Sequence, residues 1–213
     1  GLLTPICFSS QTITYDEIGN PLSYRDGYQF TWQYGRRLSS ISHNGDSISY
    51  TYDPDGIRTS KTVNGATTKY HVMNGTLLGQ TKGSDTIVFL YDEKGNKYGF
   101  DYNGTKYYYI FNVQGDVIGI LNQAGQKIVS YTYDPWGKLL SIGGPQAGTI
   151  GQINPIRYRG YYYDTETGFY YLQSRYYDPT VRRFLNADAV ISGVGRDIRG
   201  YNMFSYCMNN PVN

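Results

Sequence analysis

The sequence predicts an all-β fold made of antiparallel hairpin repeats, and three observations support this prediction. A Tyr-Asp-x-x-Gly motif recurs at a nearly constant spacing, and segments ahead of it alternate in polarity as half-buried strands do. The 213 residues also include 25 Tyr and 26 Gly, with only 17% charged residues. Tyrosine fits the pleated surface of a sheet and glycine fits tight turns, so this composition favours strands joined by short connections.

The repeated motif divides residues 1–140 into about seven units of about 20 residues. Its strict copies contain Gly19, Gly56, Gly95 and Gly137, and its looser copies contain Gly35, Gly75 and Gly115. Successive glycines of this series are 16 to 22 residues apart. Such a period is typical of repeat architectures, in which each unit is too small to bury its own apolar face and packs against its neighbours.

Each unit is predicted to contain strands and turns. Residues 48–52 (Ile-Ser-Tyr-Thr-Tyr) and 129–133 (Val-Ser-Tyr-Thr-Tyr) alternate as strands do. Turn Asp and Asn side chains can hydrogen-bond their own backbone, and Gly accepts a positive φ. Further turns are expected at Asn44-Gly45, Asn64-Gly65, Asn103-Gly104 and Ala124-Gly125. We find no convincing amphipathic helix before residue 137, and one short helix is a candidate at residues 197–208.

A change of composition follows the repeats. Residues 141–155 are rich in Gly and Pro and predict a long loop. Residues 156–213 form a different block, in which two Tyr- and Arg-rich strands flank a turn between Asp164 and Gly168. This arrangement predicts a hairpin, followed by a third element at residues 182–188. The predicted organisation is therefore repeats (1–140), loop (141–155) and a closing block (156–213).

The closing block resembles the Rhs-repeat-associated core. The residues that carry the resemblance are 157–164 (Arg-Tyr-Arg-Gly-Tyr-Tyr-Tyr-Asp), 168–172 (Gly-Phe-Tyr-Tyr-Leu), 175–179 (Arg-Tyr-Tyr-Asp-Pro), Arg183-Phe184 and 209–213 (Asn-Asn-Pro-Val-Asn). This core closes the Tyr-Asp repeat shell of bacterial Rhs proteins, wall-associated proteins and the C subunits of insecticidal Tc toxins. Seven regularly spaced repeats together with these sequence segments make the resemblance specific.

The resemblance implies a role in encapsulation. In that family the repeats form a β-sheet strip that spirals into a hollow shell, the core closes one end, and a variable C-terminal effector is held inside. We therefore expect this chain to be part of a secreted or cell-surface bacterial shell that holds and presents its own C-terminal effector domain. Because Gly1 is not an initiator Met, further repeats are expected before it.

An open sheet edge is expected near residues 11–18. Seven units are too few to close a shell, so the first strand of the chain should lack a partner on one side. Such an edge can pair with another copy, and we expect self-association of the isolated chain.

Many members of the family are also aspartyl autoproteases that carry two Asp-Pro-x-Gly motifs. Asp188 matches the first aspartate by position, but the residues after it lack both the Pro and the Gly of the motif. The second aspartate would lie beyond Asn213. An aspartic dyad needs two close carboxylates, because their like charges raise one pKa and separate the acid from the base. We therefore predict that this chain is inert alone, with Asp188 as half of a dyad at most.

Two further residues are candidates for that site. Asp197 is a candidate substitute acid nine residues after Asp188, although an Asp between Arg196 and Arg199 is more typical of a salt-bridged loop residue. Arg183 can orient a carboxylate, or serve as a structural partner of a tyrosine or a backbone carbonyl.

Other function classes have less support. The net charge of +2 is too small to indicate nucleic acid or an anionic membrane as a partner, and no transmembrane span is visible. The two His and two Cys residues offer no zinc ligand set at a usable spacing, so neither a metal nor a cofactor is expected.

A carbohydrate or cell-surface binding module is the main alternative, because tyrosine-rich β surfaces can stack on sugar rings. Exposed rows of tyrosine rings would favour that alternative, and buried rings would favour the shell.

Overall fold

The computed structural model describes residues 13–186 together with Tyr206, Cys207 and Pro211, and these residues form two antiparallel sheets. The all-β prediction is confirmed. The first sheet, called the strip here, has 14 strands that pair in the order of the chain. The second, called the core sheet, has four. No helix in the described part of the chain is long and apolar enough to cross a membrane.

The strip comprises β1 (Thr14–Tyr15), β2 (Pro21–Ser23), β3 (Gln29–Gln33), β4 (Arg37–His43), β5 (Asp46–Tyr52), β6 (Arg58–Val63), β7 (Ala66–Met73), β8 (Thr76–Lys82), β9 (Asp85–Tyr91), β10 (Lys97–Tyr102), β11 (Thr105–Phe111), β12 (Val117–Leu121), β13 (Lys127–Tyr133) and β14 (Leu139–Gly143). The core sheet comprises β15 (Tyr162–Asp164), β16 (Phe169–Leu172), β17 (Arg175–Asp178) and β18 (Arg183–Phe184). The segment predicted as a loop contains the end of β14 and a one-turn helix, α1 (Ile150–Ile153). Short 3₁₀ turns lie at Arg25–Gly27 and Tyr158–Gly160.

The repeat of about 20 residues corresponds to two strands and two turns. Because the strands follow one another along the sheet, successive turns lie at opposite edges. All seven glycines of the sequence series lie in turns that follow an odd-numbered strand, and so they share one edge, called the repeat edge here.

Side-chain hydrogen bonds close the turns of the repeat edge. In one of them, Asp92 Oδ1 accepts the backbone N–H groups of Lys94 (2.9 Å) and Asn96 (2.7 Å). Gly95 adopts a φ of 81° and donates its N–H to the Asp92 carbonyl (3.0 Å). Equivalent bonds are made at Asp16, Asn112 and Asp134. The Asp-x-x-Gly motif is thus a turn in which the carboxylate satisfies the backbone and Gly supplies the left-handed conformation.

The Asn-Gly pairs form two-residue hairpin turns, as predicted. Asn44 and Gly45 have φ values of 50° and 87°, and the pairs at 64–65 and 103–104 are similar. Positive φ at both positions gives the turn twist that matches neighbouring strands. The pair at 124–125 instead belongs to a turn begun by Asn122, whose Oδ1 accepts the N–H of Gln126.

The two faces of the strip have different side chains. In β5, Ile48 and Tyr50 are buried, whereas Ser49 and Thr51 are exposed. Buried residues lie opposite one another across neighbouring strands, as Phe89 does with Phe100. Serine and threonine pairs cover the other face, with hydroxyl–hydroxyl distances of 2.7 Å in several pairs. One face of the strip therefore provides an apolar and aromatic surface.

The core sheet covers that apolar face. Phe169 and Tyr176 of the core sheet pack into one cluster with Phe30 and Leu38 of the strip. Tyr162 packs into a second cluster, formed mainly by β7–β13. Within the described residues β1 and β14 each pair with one strand, so the strip is not closed on itself. The helix considered at 197–208 lies outside the described residues, apart from Tyr206 and Cys207.

Candidate functional site

A buried ion cluster joins the strip to the core sheet. Arg58, in β6, makes a two-point contact with Asp164, at the end of β15, with distances of 2.6 and 3.1 Å. Lys61 Nζ lies 2.8 Å from an Asp164 oxygen and 2.5 Å from Glu166 Oε1. The side chains of Arg58 and Asp164 are 1% and 0% exposed, so water does not screen this pair. The cluster is balanced, with two cations and two carboxylates.

Opposing effects act on the pKa of Asp164. Burial alone would raise it, but the charges of Arg58 and Lys61 and their hydrogen bonds outweigh burial and hold the pKa below its ordinary value. The Arg58 guanidinium also lies 4.3 Å from the centre of the Tyr171 ring and 4.7 Å from that of Tyr70, within the range of cation–π attraction. Charge pairing and aromatic rings together compensate for the removal of Arg58 from water.

Acid should weaken this cluster, and we predict a specific pH window. Because the pKa of Asp164 is lowered by folding, the folded chain binds fewer protons than the unfolded chain near the ordinary Asp pKa. The stabilisation is therefore fully present above about pH 4 and is lost as the pH falls through the folded pKa. Urea unfolding at pH 7 and at pH 3 should show a lower free energy of unfolding at pH 3. An Asp92→Asn variant lacks an exposed carboxyl instead. Its free energy of unfolding should fall between pH 7 and pH 3 by nearly as much as that of the parent chain.

Three core tyrosines bind one turn of the repeat edge. The hydroxyls of Tyr158, Tyr170 and Tyr177 donate to the carbonyls of Pro135 (3.0 Å), Gly137 (2.8 Å) and Trp136 (2.9 Å). Two other repeat-edge carbonyls, those of Gly75 and Arg36, accept hydrogen bonds from Gln173 and Asn186. The edge that carries the Tyr-Asp motifs is thus also an edge to which the core is attached.

The tyrosine of the repeated motif links adjacent strands. The hydroxyls of Tyr52, Tyr91 and Tyr133 donate to the carbonyls of Leu38, Leu77 and Val117, at 2.8, 2.7 and 2.8 Å. Each acceptor lies in the strand that precedes the tyrosine. The motif therefore combines a hydrogen bond to one strand with an Asp-x-x-Gly turn to the next.

Removing one such hydroxyl should cost a measurable amount of stability. For Tyr133→Phe we expect the free energy of unfolding to fall by about 1 kcal/mol, because the carbonyl of the buried Val117 loses this donor while the ring remains. Tyr98→Phe, at an exposed ring, should change it by less than about 0.5 kcal/mol. Urea unfolding of both variants provides the measurement, and equal effects would show that the motif hydroxyl is not structural.

The predicted dyad residues are only partly described. Asp188 and Asp197 lie outside the described residues, so both remain predictions. Arg183 is an exposed residue of β18 and lies opposite Asp178 in the register of the core sheet. The buried carboxylate of Asp178 accepts hydrogen bonds from Arg25 at 2.7 and 3.1 Å.

The ion cluster was not predicted from the sequence. Arg58 and Lys61 are three residues apart, so strict strand alternation would place them on opposite faces. The register between β5 and β6 shifts beside Arg58, where Tyr52 pairs with Arg58 while Thr51 pairs with Ser60. This β-bulge places both cations on the face that meets the core sheet. Two cations in one strand, followed far along the chain by Asp-Thr-Glu, were the available signal.

Comparisons with known proteins agree with this architecture. The sequence profile of the family described as Teneurin YD-shell matches residues 76–212. The chain is 35% identical over 212 residues to the tRNA3(Ser)-specific nuclease WapA of Bacillus spizizenii and to the tRNA nuclease WapA of Bacillus subtilis. It is 27% identical over 190 residues to double-stranded DNA deaminase toxin A of Burkholderia cenocepacia. The matches cover 96% of this chain and 9% of each WapA protein, and 86% of this chain and 11% of the deaminase toxin.

Solved structures share the fold. The crystal structure of TcdB2-TccC3-Cdc42 aligns with a TM-score of 0.72 at 21% identity, covering 92% of this chain and 10% of that chain. The structure of TcdB2-TccC3 without its hypervariable C-terminal region aligns with a TM-score of 0.71 at 22% identity, covering 91% and 10%. Together with the matching profile and the identity to the WapA proteins, these likenesses show that the chain belongs to the YD-shell family of Rhs-type repeat proteins and is a shell module of the kind found in its toxins.

Proposed function

We propose that this chain forms the closing part of a shell that encloses and presents a C-terminal effector domain. The observation that carries the proposal is the attachment of the core sheet to the strip by the buried Arg58–Asp164 pair. Because that pair is sealed from water, it fixes residues 156–186 on the apolar face of the strip. Asn186 is also buried. The polypeptide that follows it would therefore leave the strip from a fixed position.

The names of the relatives support the proposal that one type of shell segment is attached to effectors of different activity. Two WapA proteins are described as specific for tRNA3(Ser) and tRNA(Glu), and a third relative as a double-stranded DNA deaminase toxin. This chain is similar to all three although their activities differ. A shell segment that serves whichever effector is attached accounts for that pattern. We extend the proposal to location, and place the protein at the bacterial surface or outside the cell.

Limited proteolysis tests the enclosure. The protein would be expressed from its natural start to its natural stop, and compared with an Asp164→Asn variant. We expect the polypeptide after residue 213 to resist protease in the parent protein and to be cut in the variant. Equal and rapid cutting of that segment in both proteins would contradict enclosure by the shell.

Self-cleavage is a separate proposal that rests on Asp188. Intact mass of the same protein, beside an Asp188→Asn variant, measures it directly. A parent protein split shortly after Asn213 and a variant left whole would assign Asp188 to an aspartyl dyad, whereas two whole proteins would show that the shell presents its effector uncut. Asp197→Asn and Arg183→Gln variants then separate the two lesser candidates.

The open edge of the strip supports a further proposal, that isolated chains associate. Within the described residues β1 is the first strand of the sheet, and Tyr15 in this strand and Ile18 after it are 54% and 48% exposed. Such an edge can pair with a second copy or with preceding repeats. A monodisperse monomer at high concentration in analytical ultracentrifugation would contradict pairing between copies.

The burial of the tyrosines favours the shell over a glycan-binding surface. Among the described tyrosines only Tyr15, Tyr34 and Tyr98 are more than about a third exposed. They lie in β1, between β3 and β4, and in β10. They therefore do not form a row along one strand. Most of the remaining rings pack in the clusters between the strip and the core sheet.

A further inference from the structure

A cavity of about 610 Å³ lies between the strip and the core sheet, a volume usual for sites that bind small molecules. Strands β6–β10 provide one wall, and β15 and β16 contribute to the other. Aromatic and aliphatic side chains such as Tyr70, Leu77, Tyr162 and Leu172 form much of the lining. No Asp or Glu is among the described residues that line it.

The cavity has two cationic side chains, and they differ in how they are neutralised. Arg58 is paired with Asp164. Lys97 Nζ lies 4.5 Å from the centre of the Phe89 ring and 5.7 Å from that of Tyr91, and no carboxylate of the described chain pairs with it. Burial lowers the pKa of Lys97 to about 8. Its ammonium is therefore held against aromatic rings without an anion.

Several other polar groups of the lining already have partners in the protein. The Tyr91 hydroxyl donates to the Leu77 carbonyl, and the Tyr162 hydroxyl donates to Gln80. The Tyr171 hydroxyl accepts the backbone N–H of Arg58. Lys97 is thus the lining cation that lacks a carboxylate partner in the described chain, next to rings and aliphatic groups that suit an apolar body.

We propose that this cavity binds a carboxylate carried on an apolar or aromatic body, with Lys97 binding the carboxylate. A hydrogen bond from the Lys97 ammonium to a carboxylate is charge-assisted, and partial burial strengthens it. The carboxylate can belong to a small free acid or to an acidic side chain of an extended peptide, since both present the same chemistry. The proposal does not depend on whether the shell encloses an effector.

Calorimetric titration of the chain at pH 7 tests the proposal. The probes are 3-phenylpropionate, the neutral 3-phenylpropionamide, and the blocked dipeptides acetyl-Phe-Glu-amide and acetyl-Phe-Gln-amide. We expect at least one carboxylate probe to bind about tenfold or more tightly than its amide counterpart, and Lys97→Met to abolish that difference. Binding of 3-phenylpropionate would assign the site to free acids. Binding of the glutamyl dipeptide alone would assign it to a peptide.

The matched control is Lys94→Met, which removes an exposed lysine from the neighbouring turn and should leave binding unchanged. A second readout uses the unaltered chain, so it does not depend on the folding of a variant. Acylation of Lys97 by limiting acetic anhydride, followed by peptide mass spectrometry, should be slowed by the carboxylate probe and not by its amide. Absence of binding by every carboxylate, or equal binding by Lys97→Met, would overturn the proposal.

Discussion

Replacing Asp164 with Asn should lower the free energy of unfolding by about 3–5 kcal/mol. The amide keeps the shape of the side chain but removes its charge, so Arg58, which is fully buried, loses its counter-ion. Lys61 loses one of its two carboxylates. Because the Arg58 guanidinium is buried between the two sheets, the cost falls on the contact between them. Urea unfolding at pH 7 measures the change.

The control for this experiment is Asp92→Asn. Asp92 is exposed and closes a repeat-edge turn through its Oδ1 atom. Asn112 and Asn122 make the same hydrogen bonds in equivalent turns, so asparagine is already compatible with this role. We expect a change of less than about 1 kcal/mol. A similarly small change for Asp164→Asn would contradict the importance of the buried cluster.

Replacing Gly137 with Ala should lower the free energy of unfolding by about 2–5 kcal/mol, because two costs are added. Gly137 has a φ of 86°, which an L-residue with a side chain adopts only under strain. A Cβ at this position would also lie 2.6 Å from Cγ and 2.8 Å from Cε1 of the Tyr158 ring. The ring itself is fixed, since its hydroxyl donates to the Pro135 carbonyl.

Gly65→Ala separates these two costs. Gly65 also has a φ of 86°, but a Cβ there would meet no atom within 4 Å. We expect a loss of about 1–2 kcal/mol, from the backbone conformation alone. The excess for Gly137→Ala over Gly65→Ala in urea unfolding therefore reports the contact between the last repeat turn and the core. Equal losses would show that Tyr158 moves aside without cost.

The strip was predictable because its information is local. The alternation of residues 48–52 is sufficient to assign inward and outward side chains, and Asn-Gly pairs specify their turns by conformational preference. The Tyr-Asp-x-x-Gly motif indicated the period because the hydrogen bonds of its Asp side chain lie within one turn. The hairpin turn after Asp164 was also predicted, and its carbonyl accepts the N–H groups of Thr167 and Gly168.

The ion cluster was not predictable from such local rules. Its partners are separated by 103 and 106 residues along the chain, and the bulge that brings Arg58 to the inner face is a property of strand pairing. Asp164 was interpreted as a turn residue only, because nothing in its neighbourhood identifies a distant cation. The boundaries at 140 and 155 and the roles of Asp188, Asp197 and Arg183 stay predictions.

Electron cryomicroscopy of the protein, expressed from its natural start to its natural stop, tests the central claim most directly. The account predicts density for polypeptide after residue 213 within the space bounded by the strip, on the face that the core sheet covers. It also predicts that this density disperses in the Asp164→Asn variant. A folded domain outside the strip, or no polypeptide beyond residue 213, would contradict the claim that this chain closes a shell around an effector.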